Sequence, residues 1–437
     1  MVISGRGSHE IADSVERSII TGDMGPGTAL PPIRDLAGTL RVNATTVATA
    51  YRLLRDRGLV ETAGRRGTRV RAQHATAPRE AGPRPVRPGT HDAASGNPDP
   101  RLLPDLGPAL AAVAARRSGR HPLYDTPPVG TELLSVAREV FGADGVPADE
   151  VTVTSGALDA IDRLLRSGVR PGDAVALEDP GWHSELDLVA SLGLKRLAVE
   201  VDDEGMLPGE LAKVLRSGAR AVIVTNRAQN PVGSVLSAER AAALRAELAE
   251  HQQVLTIEDD HGFGFVAEAF HCLAGATRRW AVVRTAAKGY GPDLRLGLVA
   301  GDPVTVDRMR AGHRLGPGWV SHVLQETFAE LWRSRAVDPV RVDADYAKRR
   351  TALIRALREH KIPAFGRSGV NVWVRVPDEA VAVARLMGSG WAVTPGSRFR
   401  TDTAPGIRVT ISNLDTGDMP GLADAVADAV NAAGPHV

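Results

Sequence analysis

Apolar positions in the first part of the chain repeat with helical spacing. Ile11, Val15 and Ile19 recur every four residues and mark an amphipathic helix that Gly22 stops. In LPPIRDLAGTL, Ile33, Leu36, Ala37 and Leu40 share one face. Asn43 stands as N-cap to ATTVATAYRLLRDRG, a helix that places Val47, Ala50, Tyr51 and Leu54 inside and Thr45, Thr46, Thr49 and Arg52 outside, and that Gly58 ends. LVETAGRRGTRVRA then reads as two short strands around Gly64–Arg65–Arg66–Gly67. Past residue 71 the periodicity vanishes. The stretch AQHATAPREAGPRPVRPGTHDAASGNP is rich in Pro, Gly and Ala, and Pro78, Pro83, Pro85 and Pro88 stiffen it into an extended spacer. Beyond it, β-branched runs at Val151–Thr154, Ala174–Leu177, Ala221–Thr225, Val254–Ile257 and Ala281–Arg284 alternate with Ala/Leu/Arg-rich helical patterns. That alternation predicts βαβ units, hence an α/β body with a mostly parallel sheet and helices on both faces. The expected organisation is a head over 1–71, a linker over 72–92 and a body over 93–437, with a small C-terminal subdomain over about 330–437.

Composition narrows the class. With 43% hydrophobic and 24% charged residues the 437-residue chain is neither disordered nor fibrous. No apolar run approaches the roughly 20 residues of a membrane span. The N-terminus lacks an apolar signal segment, so the expected location is the cytoplasm. The single cysteine, Cys272, excludes an intramolecular disulfide and a Cys-based zinc cluster. A net charge of +1 conceals an asymmetry: residues 1–75 carry +4, residues 76–90 carry +2, and the rest carry −5. A basic head on an acidic body expects a polyanion at the head alone. Two helices joined by a tight turn, the second exposing small polar groups near its start, suit a DNA major groove, and an Arg-tipped hairpin suits phosphates.

The body carries candidate chemistry at its strand ends. Lysine is scarce: Lys195, Lys213, Lys288, Lys348 and Lys361 are the lysines among 53 basic residues. Lys288 follows the strand AVVRTAA, and lysine, unlike arginine, can lose its proton and form a Schiff base. The strand VLTIEDD ends in carboxylates able to pair with a protonated pyridine nitrogen; both Asp259 and Asp260 are candidates. Thr154–Ser155–Gly156–Ala157 lies between a strand and a helix, a ready phosphate site. Trp182, in EDPGW, can stack on a flat heterocycle. Asn230, in NRAQNPVG, can donate to a phenolic oxygen. Arg295 stands seven residues beyond Lys288, in reach of a phosphate.

The segment GDMGPGTALPPIRDLAGTLRVNATTVATAYRLLRDRGLVETAGRRGTRV resembles the GntR-family DNA-binding domain, a winged helix-turn-helix. The resemblance implies that Arg34, Thr45, Thr46 and Arg52 face double-stranded operator DNA and that Arg65, Arg66 and Gly67 form the wing. Asn43–Ala44–Thr45 departs from the Arg or Ser pair that commonly opens the recognition helix. Residues 93–437 resemble fold-type I aminotransferases, which use pyridoxal 5′-phosphate. That implies Lys288 as Schiff-base lysine, Asp259 at the ring nitrogen, Asn230 at the phenolic oxygen and Trp182 stacked on the ring. It further implies Ser155, Gly156, Ala157, Thr285 and Arg295 around the phosphate, Arg408 at an effector or substrate carboxylate, and Tyr124 lent across a homodimer. His261 stands where relatives usually have Tyr and would also touch the phenolic oxygen; Ala287 replaces a common Ser, and Leu158 a common Gln. The whole chain resembles the MocR subfamily of GntR-type regulators, which implies a DNA-binding regulator that senses an amino compound or the cofactor itself. A working aminotransferase and a cofactor-free dimerisation scaffold are the other readings.

Overall fold

A computed structural model describes residues 3–25, 27–56, 59–62, 67–70, 89–119 and 121–432. In the head, helices α1 (Ser8–Ile20), α2 (Ile33–Leu40) and α3 (Ala44–Asp56) enclose a core of Ile11, Val15, Leu36, Val47, Tyr51 and Leu54. Arg41 ends α2 in the left-handed conformation (φ +54°), which sets the tight turn into α3. Asn43 caps α3 as its sequence predicts, its Oδ1 accepting from the Thr45 N–H at 2.9 Å and the Thr45 hydroxyl at 2.8 Å. The Tyr51 hydroxyl donates to the Pro31 carbonyl at 2.7 Å, fixing α3 to the turn before α2. Strands β1 (Val60–Thr62) and β2 (Thr68–Val70) pair antiparallel with Val60 opposite Val70. Gly67 enters β2 at φ +77°, a conformation glycine adopts without strain. Arg65 and Arg66 lie outside the described residues.

The body opens with β3 (His91–Asp92), two residues before the expected boundary at 93, because that strand pairs within the body. It continues through β4 (Val151–Thr154), β5 (Ala174–Asp179), β6 (Lys195–Asp202), β7 (Gly205–Met206), β8 (Ala219–Arg227), β9 (Leu255–Asp260), β10 (Arg279–Thr285) and β11 (Gly297–Gly301). These last eight form one sheet in the order β4-β11-β10-β9-β8-β5-β6-β7. Its centre, β5-β8-β9-β10, is parallel and buried on both faces, as near-continuous apolar runs require. All five strands expected from the pattern are present. The sheet departs from a parallel plan at β11, which runs antiparallel to both β10 and β4. Lys288 therefore sits in a reversing connection between β10 and β11, not in a crossover. Four further strands, β12 (Ala364–Phe365), β13 (Asn371–Arg375), β15 (Thr394–Pro395) and β16 (Gly406–Thr410), form an antiparallel sheet, while β14 (Trp391–Ala392) pairs parallel with β3. Among the described residues no helix is long and apolar enough to cross a membrane.

Candidate functional site

The carboxyl ends of the central strands gather the candidate side chains, where open α/β sheets place their ligands. Lys288 lies half-buried in the short helix Ala287–Tyr290, and its Nζ donates to the Gly96 carbonyl. Asp259 and Asp260 end β9, and strand alternation sends them to opposite faces. Asp260 is bound by two guanidiniums: Arg227 Nε and Nη2 donate at 3.0 and 2.6 Å, and Arg284 Nε at 2.9 Å. Those charges hold the Asp260 carboxyl below the usual carboxylate range despite its burial. Asp259 is 2% exposed, and its Oδ1 has no hydrogen-bond partner among the described residues. A buried, unmatched carboxyl is costly, and a pyridinium N–H is the kind of donor it lacks. His261 Nδ1 stands 3.8 Å from Asp259 Oδ2, and Trp182 lies 5.9 Å from the His261 ring, centroid to centroid. Burial, with the nearby Lys288 charge, pushes the His261 imidazole down to about 3, so it is neutral, with one ring nitrogen donating and one accepting.

Asn230 and Arg408 meet across the site. Arg408 Nη1 donates to Asn230 Oδ1 at 3.1 Å, leaving the amide NH2 of Asn230 as its donor end. Arg408 Nη2 donates to the Ala94 carbonyl at 2.5 Å and the Thr394 hydroxyl at 3.3 Å, and the guanidinium lies 4.9 Å over the Phe399 ring. At the turn before the helix Ala157–Gly168, Gly156 adopts φ +102°, and a Cβ there would come within 3.2 Å of Arg295 Nη2. Arg295 is itself anchored on the Ser155 carbonyl at 2.6 Å. The Ser155 N–H is taken by Asp159 Oδ2 at 2.9 Å, so an anion at this turn would meet the Gly156 and Ala157 amides. Thr285 ends β10, its Oγ1 accepting from the Ala287 N–H at 3.3 Å. These residues fit pyridoxal phosphate: an unmatched carboxyl for the ring nitrogen, and a glycine turn with an arginine for the phosphate. Tyr124 is away from this group, 93% exposed and edge-on to Trp319 at 5.7 Å.

Sequence patterning missed a set of buried carboxyls around Asp259. Glu178, on β5, accepts from the Thr225 N–H at 2.9 Å and from Gln229 Nε2 at 3.0 Å. Glu185, on the helix His183–Ser191 one turn after Trp182, is 4% exposed, and its Oε1 has no hydrogen-bond partner among the described residues. Burial pushes Glu178 up to about 7; burial with the Asp260 and Glu178 charges pushes Asp259 up to about 8, and Glu185 is raised by burial and the charge of Asp259. Nothing in EDPGWHSE marks these as a cluster, because only the fold brings β5, β9 and this helix together.

Their titration has a definite sign. A carboxyl whose folded pKa is raised binds its proton more tightly folded than unfolded, so stability falls as pH climbs towards the folded value. His261 acts oppositely but only below about 6.5, its ordinary value. Without cofactor, the thermal midpoint should therefore fall between pH 6.5 and 8.5. Asp259→Asn should flatten that decline, and an unchanged slope in thermal scans would count against the role of Asp259.

On the head, Arg34, Thr45 and Arg52 are exposed and Thr46 is half-buried. The Thr45 hydroxyl is engaged by Asn43, and Arg52 Nη2 donates to the Thr49 hydroxyl at 3.2 Å.

Two family profiles divide the chain. "Bacterial regulatory proteins, gntR family" matches residues 8–70, and "Aminotransferase class I and II" matches residues 100–426. The vitamin B6 salvage pathway transcriptional repressor PtsJ of Salmonella typhimurium is 40% identical over 98% of this chain and 100% of its own length. The HTH-type transcriptional regulator TauR of Rhodobacter capsulatus is 28% identical over 90% of each chain. Among solved structures, the kynurenine aminotransferase of Pyrococcus horikoshii superposes with a TM-score of 0.70 at 21% identity, covering 79% of this chain and 92% of its own. That last likeness is one of fold.

Proposed function

Because the chain belongs to the MocR subfamily of GntR-type transcriptional regulators, we propose that its affinity for operator DNA is set by occupancy of the pocket around Lys288 and Asp259. The protein is a DNA-binding regulator with a pyridoxal phosphate-binding body. The observation that supports the pocket assignment is the buried Asp259 carboxyl, whose Oδ1 lacks a partner among the described residues. When bound, pyridoxal phosphate supplies an aldehyde that condenses with amines and a ring that withdraws electrons. The chain's own residues do the rest. Lys288 presents the amine, Asp259 keeps a proton on the ring nitrogen, Trp182 covers a ring face, and Asn230 with His261 faces the phenolic oxygen. The Gly156 and Ala157 amides, Thr285 and Arg295 hold the phosphate beside Ser155, and Arg408 takes a carboxylate. Pyridoxal phosphate, alone or joined by an amino compound, is the sensed ligand; the relative's role in vitamin B6 salvage supports this.

We assign the working unit as a cytoplasmic homodimer. Leu123, Tyr124 and Leu315 are 66%, 93% and 92% exposed, and docking them on a second copy would cover them and carry Tyr124 to the neighbour's phosphate. Sedimentation should show a dimer at micromolar concentration, and a cofactor-loaded monomer there would contradict it. Lys288, Asp259, Asn230 and Arg408 are also what amino transfer to a keto acid requires, so aminotransferase activity is the second reading. Sustained keto-acid turnover would favour it.

The head's contacts separate by their response to salt. Arg66, which falls between β1 and β2 in the sequence, should touch phosphate, so Arg66→Ala should weaken all duplexes alike and reduce the slope of log K against log salt by about 0.9. Thr46→Ala should instead reorder preference among sequences at an unchanged slope. An unchanged slope for Arg66→Ala would remove the wing from the interface.

A further inference from the structure

The segment that follows the linker meets the pocket with its backbone. His91 N donates to the Gly390 carbonyl at 2.8 Å and Ala93 N to the Ala392 carbonyl at 2.9 Å, while the His91 ring stacks on Trp391 at 4.3 Å. The Ala93 carbonyl accepts from Thr410 N at 2.8 Å, two residues past Arg408 on β16. The next carbonyl, Ala94, accepts from Arg408 Nη2 at 2.5 Å and from the Thr394 hydroxyl at 3.0 Å. Two residues on, the Gly96 carbonyl accepts from Lys288 Nζ. A Cβ at position 96 would stand 3.6 Å from Arg408 Nη1, so the chain lies directly against the guanidinium.

We infer that residues 93–96 are the element that reads the pocket: the carbonyls of Ala94 and Gly96 hold the two side chains that a ligand must recruit, so ligand entry displaces a segment continuous with the linker. The inference rests on the reading that pocket occupancy governs DNA binding. Arg408 offers Nη1 to Asn230 and Nη2 to Ala94. A carboxylate gripped by both prongs of a guanidinium makes paired charge-assisted bonds, stronger than those to a neutral carbonyl, and so takes Arg408 from Ala94. A lysine amine taken up by the cofactor likewise ceases to be the donor that Gly96 uses. The first exchange leaves the Ala94 carbonyl with the Thr394 hydroxyl as its remaining named donor, and the second takes Lys288 from the Gly96 carbonyl, so the same short segment loses the two long side chains that hold it and is released to move. The favoured second ligand is thus an amine bearing a carboxylate within reach of Arg408, and the linker receives the signal through 91–93.

Two stable probes, neither of which condenses with Lys288, isolate the carboxylate step: phosphopyridoxyl-glycine, which carries the carboxylate, and phosphopyridoxyl-methylamine, which lacks it. Each is added to the full-length chain, its binding is verified by absorbance, and two quantities are measured. These are backbone amide exchange across residues 91–97 and affinity for a duplex that the protein itself selects from random sequence. The glycine probe should raise exchange at the His91 and Ala93 amides about tenfold and shift DNA affinity by at least about fivefold, the lower end of typical allosteric coupling. The methylamine probe should do markedly less of both. DNA affinity that changes while exchange over 91–97 stays constant overturns the reading segment and leaves pocket sensing intact. Unchanged DNA affinity with both probes bound overturns pocket sensing and the segment's role with it.

Discussion

Lys288→Ala is expected to abolish covalent capture of pyridoxal phosphate while leaving the fold and most phosphate anchoring in place. Borohydride reduction of the wild type, followed by peptide mapping, should place the pyridoxyl group on Lys288 alone. The discrimination is sharp because the other four lysines, at 195, 213, 348 and 361, are all exposed, whereas Lys288 is half-buried at the strand ends beside the neutral His261. An exposed lysine has no fixed place beside a bound aldehyde, whereas the Lys288 amine is held at the strand ends against the Gly96 carbonyl. The variant should retain non-covalent affinity, because Arg295, the Gly156 turn and Asp259 are untouched. Label on any of the exposed lysines instead would mean that the pocket is elsewhere.

The second large effect is on stability. Asp260→Ala should destabilise the body by about 3–5 kcal/mol, the usual cost of removing one partner from a buried ion pair. Arg284 is fully buried and Arg227 nearly so, and both direct their guanidiniums at Asp260. Their other partners do not replace it. Arg284 also reaches the Val140 carbonyl and the partly exposed Asp144, and Arg227 reaches the Glu268 carbonyl. The rings of Phe141, Phe263 and Phe270 around Arg284 take some of the charge but cannot match a carboxylate. Asp259→Ala should behave oppositely, removing a carboxyl that is costly to bury and sparing or raising the stability of the cofactor-free protein while weakening cofactor binding. Urea titrations of the two variants check this pair, and equal midpoints would contradict the division of labour between adjacent residues.

That division shows where sequence reasoning stops. The four central strands and β4 are plain in the β-branched runs, because burial makes those runs almost continuously apolar. The helices and capping of the head are equally plain, since Asn43, Gly22 and the four-residue apolar spacing are local signals. The choice between Asp259 and Asp260 is not local. It depends on which face of β9 meets Arg227 from β8 and Arg284 from β10, and those two arginines read as ordinary polar residues within strands. Glu178 and Glu185 escape for the same reason, each being one acid among 52 acidic residues until the fold buries it. The carbonyls of Ala94 and Gly96 leave no trace in side-chain pattern at all. The antiparallel β11 was hidden because GLVAG is short and glycine-rich, and a reversing connection through Lys288 has no distinctive turn sequence.

The most direct measurement is the equilibrium affinity of the full chain for a duplex it selects from random sequence. It is taken at fixed salt with and without pyridoxal phosphate, alone and with amino acids added, for the wild type and for Lys288→Ala. For the wild type, affinity should change by at least about fivefold when the pocket is loaded. Lys288→Ala, which has no Gly96 contact to give up, should respond to pyridoxal phosphate alone far less than the wild type does. A wild type whose absorbance shows full loading but whose DNA affinity is the same under every condition would contradict a regulator governed by this pocket.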